Sequence, residues 1–172
     1  PTDMGVNMAG NCIFDDEAVR EAAQQEIIRR YYGALCAQRQ GMANSDTVYK
    51  LKLLMQQAGL TAENRPVVAA ALEKAAATEA PAAALELPDG TVVTGKTTKL
   101  LGASAALLLN ALKKLGGIAD DIHLISPVIL EPIQSLKVGH LGNHNPRLHS
   151  DEVLLALSIS GLSNPLAAMV QA

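Results

Sequence analysis

The hydrophobic pattern of this sequence changes period near residue 80, and that change limits the folds open to the chain. Before it, apolar residues recur at the three- and four-residue spacing of amphipathic helices, which predicts a helical subdomain over residues 15–80. After it, two short runs that we interpret as extended flank a Pro-Asp-Gly sequence, which favours a tight turn. We therefore expect a β-hairpin over residues 83–95.

Residues 81–172 predict a small α/β subdomain around that hairpin. An Ala- and Leu-rich helix is expected over 100–115 and a buried strand over 121–125, followed by C-terminal helices. His123 lies inside the apolar strand and is expected to be a hydrogen-bonded core histidine. With residues 1–14 as a lead-in loop or edge strand, the fold class is mixed α/β.

Composition excludes several classes of function. Hydrophobic residues make up 49% of the chain but aromatic residues only 2%, which is typical of aliphatic cores between packed helices. A net charge of −3 argues against binding to nucleic acid or to an anionic membrane, and the longest apolar run, 100–109, is too short to span a bilayer. Cys12 and Cys36 have no CxxC spacing, which indicates reduced thiols and a cytoplasmic protein.

Residues 90–97 match the GxxxxGK[ST] pattern of phosphate-binding loops letter by letter. That loop needs successive amide groups that converge on an anion, whereas the four intervening residues here are the strong strand formers Thr, Val, Val and Thr. We expect a strand, whose amides alternate in direction and pair with a neighbouring strand. Lys96 and Thr97, ahead of the next helix, can still meet a phosphate.

The order of hairpin, helix and buried strand resembles the opening of the cytidine-deaminase-like fold. Zinc deaminases place a metal ligand and a catalytic Glu at the start of that helix, and two Cys beyond the next strand. This chain has Gly-Ala-Ser at 102–104 and Ser-Pro-Val-Ile-Leu at 126–130, which cannot supply those groups. The resemblance therefore predicts a shared scaffold without deaminase chemistry.

Three of the four histidines lie within the fourteen residues 139–152, which makes this segment the best site candidate. His140 and His144 would share one face of a helix, as paired metal ligands do, but the Gly, Asn and Pro residues between 142 and 146 argue against a helix. We therefore expect a loop and no metal site. One interpretation is a structural connection whose Asn and His side chains satisfy backbone groups.

The other interpretation of this segment is a binding loop. Arg147 offers a planar fork for a carboxylate or phosphate, and His144 and His149 are the candidate catalytic groups because imidazoles transfer protons near neutral pH. The candidate ligand-binding residues are Lys96, Thr97, Asn143, His144, Asn145 and Arg147. The sequence indicates no particular reaction and no particular cofactor.

A more specific resemblance covers nearly the whole chain and is carried by residues 1–12, 25–32, parts of 87–97 and parts of 141–153. In these runs the sequence resembles uncharacterised protein family 0371, bacterial proteins with a conserved domain of unknown function. The resemblance implies that the chain is the C-terminal portion of a longer protein. It also implies a helical subdomain joined to a three-layer α/β subdomain of deaminase-like topology, and it brings no catalytic residue to any position.

Three functions follow as hypotheses. The first is the C-terminal half of a cytoplasmic enzyme that binds a phosphorylated or nucleotide-like small molecule. The alternative is a non-catalytic structural or oligomerisation module of a larger protein whose chemistry lies elsewhere. A metal-dependent hydrolase comes third. In each case we expect a homo-oligomer that has neither nucleic acid nor a membrane as partner.

Overall fold

A computed structural model describes residues 15–172, so the lead-in loop or edge strand expected over 1–14 lies outside the described residues. The chain divides into two units, one ending at Arg65 and the other beginning at Pro66. Over residues 15–172, no helix combines the length and the apolar character that crossing a bilayer requires.

The first unit contains two helices, α1 (Asp16–Arg39) and α2 (Ser45–Gln57), which pack against each other. Both begin at capping side chains: Asp15 accepts a hydrogen bond from the backbone of α1, and Asn44 accepts one from the backbone of α2. A short 3₁₀ turn, Ala62–Asn64, follows. The helical pattern of the sequence is therefore realised in this unit.

The second unit opens with α3 (Pro66–Thr78) and the hairpin of β1 (Ala82–Glu86) and β2 (Val92–Lys96). The strands are antiparallel, in a register that runs from Ala82 opposite Lys96 to Glu86 opposite Val92. The predicted hairpin is confirmed. Because α3 packs on both strands, this third helix belongs to the second unit, and the boundary lies at Arg65 instead of the expected residue 80.

Helix α4 (Ala103–Leu115) lies directly on β2. The close approach depends on Gly95, where an added Cβ would overlap backbone atoms of Leu107 and would lie 2.8 Å from the carbonyl oxygen of Ala103. The glycine of the apparent phosphate-loop pattern thus serves strand–helix packing. The prediction that this pattern forms a strand is confirmed.

The chain continues through α5 (Pro127–Ser135), which passes directly into a π-helical turn at Leu136–His140. A loop then leads to α6 (Ser150–Ser160) and α7 (Pro165–Met169). The core of the unit is aliphatic, as the composition predicts. Its buried members are Ala105, Leu124, Ile125, Leu130, Leu148, Val153, Ala156, Leu157 and Ala167.

The predicted strand over 121–125 is wrong. Leu124 and Ile125 are buried as expected, but this stretch has no strand conformation. The physical reason is that Asn164 Nδ2 donates hydrogen bonds to the carbonyls of His123 and Leu124, at 3.3 and 3.2 Å, so a side chain satisfies these groups in place of a neighbouring strand. His123 itself is exposed, contrary to the prediction of a core histidine.

The second unit therefore combines helices with one small sheet. In residues 15–172 this sheet has two strands, so the three-layer arrangement of deaminase-like topology is not seen in that part of the chain. The mixed α/β class holds only in the broad sense that a mostly helical unit carries one hairpin.

Candidate functional site

The second unit contains a cavity of about 380 Å³ beside the hairpin and α4. Three lysines from three separate elements line it: Lys74 from α3, Lys96 from the end of β2 and Lys113 from α4. None of the described residues that line this cavity is acidic. Three lysines therefore line one space without a carboxylate in its wall, which favours an anionic ligand.

The three lysine side chains differ in their exposure and in their hydrogen bonds. Lys113 is only 9% exposed, and its Nζ donates a 2.8 Å hydrogen bond to the carbonyl of Asp120, which fixes the ammonium in the wall. Lys96 is exposed and Lys74 is half-buried, and neither side chain has a hydrogen-bond or ion-pair partner within residues 15–172. Two ammonium groups are thus available to a ligand beside a third that is held in place.

The rest of the cavity wall is largely aliphatic. Its apolar members include Leu100, Leu101, Leu109, Leu124, Ile125 and Leu130. Its other polar members are Thr94, Thr98, Asn110 and His123, and Asn110 donates from Nδ2 to the carbonyl of Thr94 at 2.9 Å. An apolar wall with a few fixed polar groups is typical of small-molecule sites.

Residues 141–149 of the histidine segment form a loop, as predicted, whereas His140 lies in the π-helical turn. The loop is attached by hydrogen bonds to the chain between β2 and α4. Leu148 is fully buried, and its backbone pairs with that of Leu100 and Gly102 in a short parallel bridge, with bonds of 2.9 and 3.0 Å. Arg147 donates from Nε to the carbonyl of Thr98 at 2.9 Å. Because Thr98 lines the cavity, this hydrogen bond ties the loop to the cavity wall.

The asparagines of this loop stabilise its turns. Asn143 Oδ1 accepts from the amide of Asn145 at 2.9 Å, and Asn145 Oδ1 accepts from the amide of Arg147 at 3.1 Å. Gly142 takes a positive φ of 68°, which suits a glycine. Asn145 Nδ2 also lies 3.3 Å from His149 Nε2. These contacts correspond to the structural interpretation of the segment.

A buried lysine that the sequence interpretation missed holds the other end of the loop. Lys137 is 4% exposed, and its Nζ donates to the carbonyl of Arg147 and to Glu152 Oε2, both at 2.8 Å. The same carboxylate accepts from the amide of His149 at 2.7 Å, at the start of α6. Burial alone would raise the pKa of Glu152, but the Lys137 and His149 hydrogen bonds outweigh it and lower that pKa.

Of the predicted binding residues, the structure places Lys96 in the cavity wall. Thr97 does not line the cavity, and neither do the loop residues Asn143, His144, Asn145, Arg147 and His149. The loop meets the cavity wall through the hydrogen bond to Thr98 and the bridge to Leu100. Sequence reasoning missed Lys74, Lys113 and Asn110, because each is an ordinary residue of a helix whose role depends on the elements packed around it.

One group of possible metal ligands exists within residues 15–172. Ligand atoms of His149, Asp151 and Glu152 lie within 4.8 Å of one another. Glu152 Oε2 already accepts hydrogen bonds from the Lys137 ammonium and from the His149 amide at the start of α6, and this positive surrounding disfavours a cation. The geometry gives no support to the metal-dependent hydrolase hypothesis.

Comparison with known sequences gives matches along the whole chain. Residues 63–172 match the model described as "Domain of unknown function DUF1846, C-terminal", and residues 1–59 match "Domain of unknown function DUF1846, N-terminal". A UPF0371 protein of Corynebacterium urealyticum is 59% identical over 160 residues, covering 93% of this chain and 32% of the relative. A UPF0371 protein of Streptococcus pneumoniae is 51% identical over 168 residues, covering 98% of this chain and 34% of the relative. The chain thus spans about a third of the length of these relatives.

Proposed function

Because the chain belongs to the DUF1846 family and is a portion of a UPF0371-type protein, we propose that it contributes to a larger protein the binding site for a phosphorylated or nucleotide-like small molecule. The observation that carries this proposal is the convergence of Lys74, Lys96 and Lys113 on one cavity whose described wall contains no acid. A phosphate is the common metabolite group that such a set of ammonium groups would bind.

The roles of the individual residues follow from their positions. Lys96 is proposed as a direct ligand of the phosphate because it is exposed and lines the cavity. Arg147 is proposed as a positioning residue, which acts through the carbonyl of Thr98. His144 and His149 are kept as candidate proton-transfer groups for the enzyme hypothesis, in which other regions of the longer protein complete the site. Asn143, Asn145 and Thr97 are proposed to act through the backbone.

Two further features belong to this proposal. We place the protein in the cytoplasm, the compartment that its cysteine spacing favours. A three-layer sheet of deaminase-like topology is proposed only for the longer protein, in which additional strands would have to extend the hairpin.

A thermal-shift measurement tests the proposal, because a ligand of the native state raises its melting temperature by mass action. The protein is titrated with inorganic phosphate, a sugar phosphate and a nucleotide at constant ionic strength. We expect at least one of these to raise the melting temperature, and we expect Lys96→Met to reduce the effect. Lys114→Met is the matched control, because Lys114 is exposed and lies outside the cavity wall. Equal shifts in both variants, or no shift at all, would contradict the proposal.

A second candidate function, the assembly module, is favoured by the outer face of α6. Leu155 and Ile159 lie one turn apart on α6, Leu162 follows in the turn after it, and the three are 67, 52 and 89% exposed. The exposed residues between positions 154 and 162 carry no charge. We propose a second copy of the chain as the partner of this face, since an uncharged face can pair with itself without repulsion between like charges.

Sedimentation equilibrium tests the assembly module. We expect the protein to form dimers that Leu155→Lys dissociates, because the substitution puts two like charges into a self-paired surface. Val128→Lys is the control, since Val128 is 75% exposed but lies on α5. A monomeric protein, or dimers that survive Leu155→Lys, would contradict this function.

A further inference from the structure

A second cavity adjoins the lysine cavity and differs from it in chemical character. It has a volume of about 190 Å³ and shares lining residues of the stretch 123–127 with the lysine cavity, so the two spaces meet along this part of the chain. Three serines line it: Ser126, Ser160 and Ser163. Of the described residues that line it, none is a lysine, an arginine, an aspartate or a glutamate. A space lined by hydroxyl groups therefore lies next to one lined by ammonium groups.

The hydroxyl of Ser160 is the most informative group of this second cavity. Ser160 is 2% exposed, and its Oγ has no hydrogen-bond partner within residues 15–172. Ser158 on the same helix shows the ordinary alternative, because its Oγ donates to the carbonyl of Leu154, one turn earlier, at 3.0 Å. Nearly all buried polar groups in folded proteins have a partner. The partner of the Ser160 hydroxyl should therefore come from the space that Ser160 lines.

The other polar groups of this cavity limit the chemistry of that partner. Asn164 uses its whole amide within the protein, with Nδ2 donating to the carbonyls of His123 and Leu124 and Oδ1 accepting from the first amides of α7. The serine hydroxyls remain, and each can both donate and accept a hydrogen bond. A carboxylate or an ammonium group would lose its hydration here without gaining a fixed opposite charge. The occupant should therefore be a neutral group that carries hydroxyls.

We infer that the two cavities bind one ligand, a phosphate ester of a polyol or sugar, with its phosphate at the lysines and its hydroxyl groups at Ser160 and the neighbouring serines. This inference rests on the proposed function and adds to it the ligand class and a specificity-determining residue. The second cavity, at about 190 Å³, is smaller than the roughly 300 Å³ at which ligand pockets begin, which suits one part of a ligand that continues into the lysine cavity.

Isothermal titration of the protein with inorganic phosphate and with two esters of equal chain length tests the inference. The esters are sorbitol 6-phosphate, which carries hydroxyl groups along its chain, and hexyl phosphate, which carries none. We expect the sorbitol ester to bind at least about tenfold more tightly than the hexyl ester. In Ser160→Ala this ratio should fall by about fivefold or more, because a methyl group then faces the ligand hydroxyl. Ser158→Ala is the matched control and should keep the ratio, since Ser158 lies on the same helix but lines neither cavity.

The outcomes separate this inference from the proposal beneath it. If the hexyl ester binds as tightly as the sorbitol ester or more tightly, and both depend on Lys96, the second cavity holds water only. The inference is then overturned while the phosphate site stands. If the sorbitol ester is favoured but Ser160→Ala keeps the full ratio, the ligand hydroxyls lie elsewhere and the inference is overturned as well. If neither ester nor inorganic phosphate binds, both the inference and the proposed function are overturned.

Discussion

Replacing Lys137 by methionine should loosen the histidine loop measurably, because one buried ammonium holds two parts of it. Lys137 Nζ donates to the Arg147 carbonyl and to the Glu152 carboxylate, both at 2.8 Å. Hydrogen bonds of charged groups contribute about 1.5–3 kcal/mol each, but methionine also removes the cost of burying the ammonium. Glu152 keeps its bond from the His149 amide, and its side chain is 24% exposed. We therefore expect a net loss of about 2 kcal/mol in the free energy of unfolding.

The partner substitution should cost more. Glu152→Gln leaves an ammonium that is 4% exposed without a negative charge beside it, for which we expect a loss of about 3 kcal/mol. In the double variant both charges are absent, so its loss should fall short of the sum of the two single losses by about 2 kcal/mol. Urea unfolding of the four proteins, with linear extrapolation to water, measures this coupling energy.

An exposed ion pair provides the control for this cycle. Arg20 and Glu17 also lie 2.8 Å apart, but their side chains are 63 and 78% exposed, so their coupling energy should be close to zero. A coupling energy for Lys137 and Glu152 as small as that of the exposed pair would refute the reasoning. Acid unfolding provides a second check. Because the folded-state pKa of Glu152 is lowered, this carboxylate contributes to the free energy of unfolding above its ordinary pKa of 4.5, and the contribution is lost as the pH falls below that value. Glu152→Gln should remove this part of the acid sensitivity.

Gly95→Ala should destabilise the second unit by about 3 kcal/mol or prevent its folding, because the added Cβ overlaps the backbone of the facing helix. Gly33→Ala, in an open position of α1, should instead stabilise the protein by about 0.5–1 kcal/mol. Urea unfolding compares the free energies of the two variants. Asn164→Ala removes the cap of α7 together with two donated hydrogen bonds, so we expect the free energy of unfolding to fall by about 2–3 kcal/mol in the same assay. A fall below about 1 kcal/mol would contradict the role given to this side chain. Glu26 should titrate with a pKa of about 2, because Arg29 and then Arg30 bond its carboxylate; in Arg29→Gln an NMR titration should find that pKa raised toward 4.5, and an unchanged value would contradict the assignment.

The elements that the sequence predicts well are those whose cause is local. The hairpin follows from a Pro-Asp-Gly turn between short extended runs, and α4 forms within the Ala- and Leu-rich stretch where a helix is predicted. The strand that replaces a phosphate loop at 90–97 likewise follows from the strand preference of the residues within it. In each case the neighbouring residues supply the hydrogen bonds that define the element.

The predictions that fail depend on distant residues. The stretch 121–125 is apolar enough to be buried, but its carbonyls are bonded by Asn164, about forty positions later, so no strand forms. Lys137 is a residue that composition would place on the surface, and it is buried because the loop brings Glu152 to it.

The lysine cavity also depends on residues that are distant in sequence, so the sequence did not predict it. The histidine segment is the obvious site candidate in the sequence because its polar residues are adjacent, yet many of their contacts support the loop itself. The cavity instead collects lysines from α3, β2 and α4, at positions 74, 96 and 113. Because these three lysines belong to different elements, no residue spacing in the sequence predicts that they lie together. The packing of the hairpin between helices brings them together.

A titration of the ¹⁵N-labelled protein with inorganic phosphate, followed by NMR, tests the central claim most directly. The claim predicts saturable shifts of the amide signals of residues around the cavity, Lys96 and Thr98 above all, with a weaker response in Lys96→Met and an unchanged one in Lys114→Met. Shifts confined to the loop residues 143–147, or no saturable shift anywhere, would contradict a phosphate site in the lysine cavity.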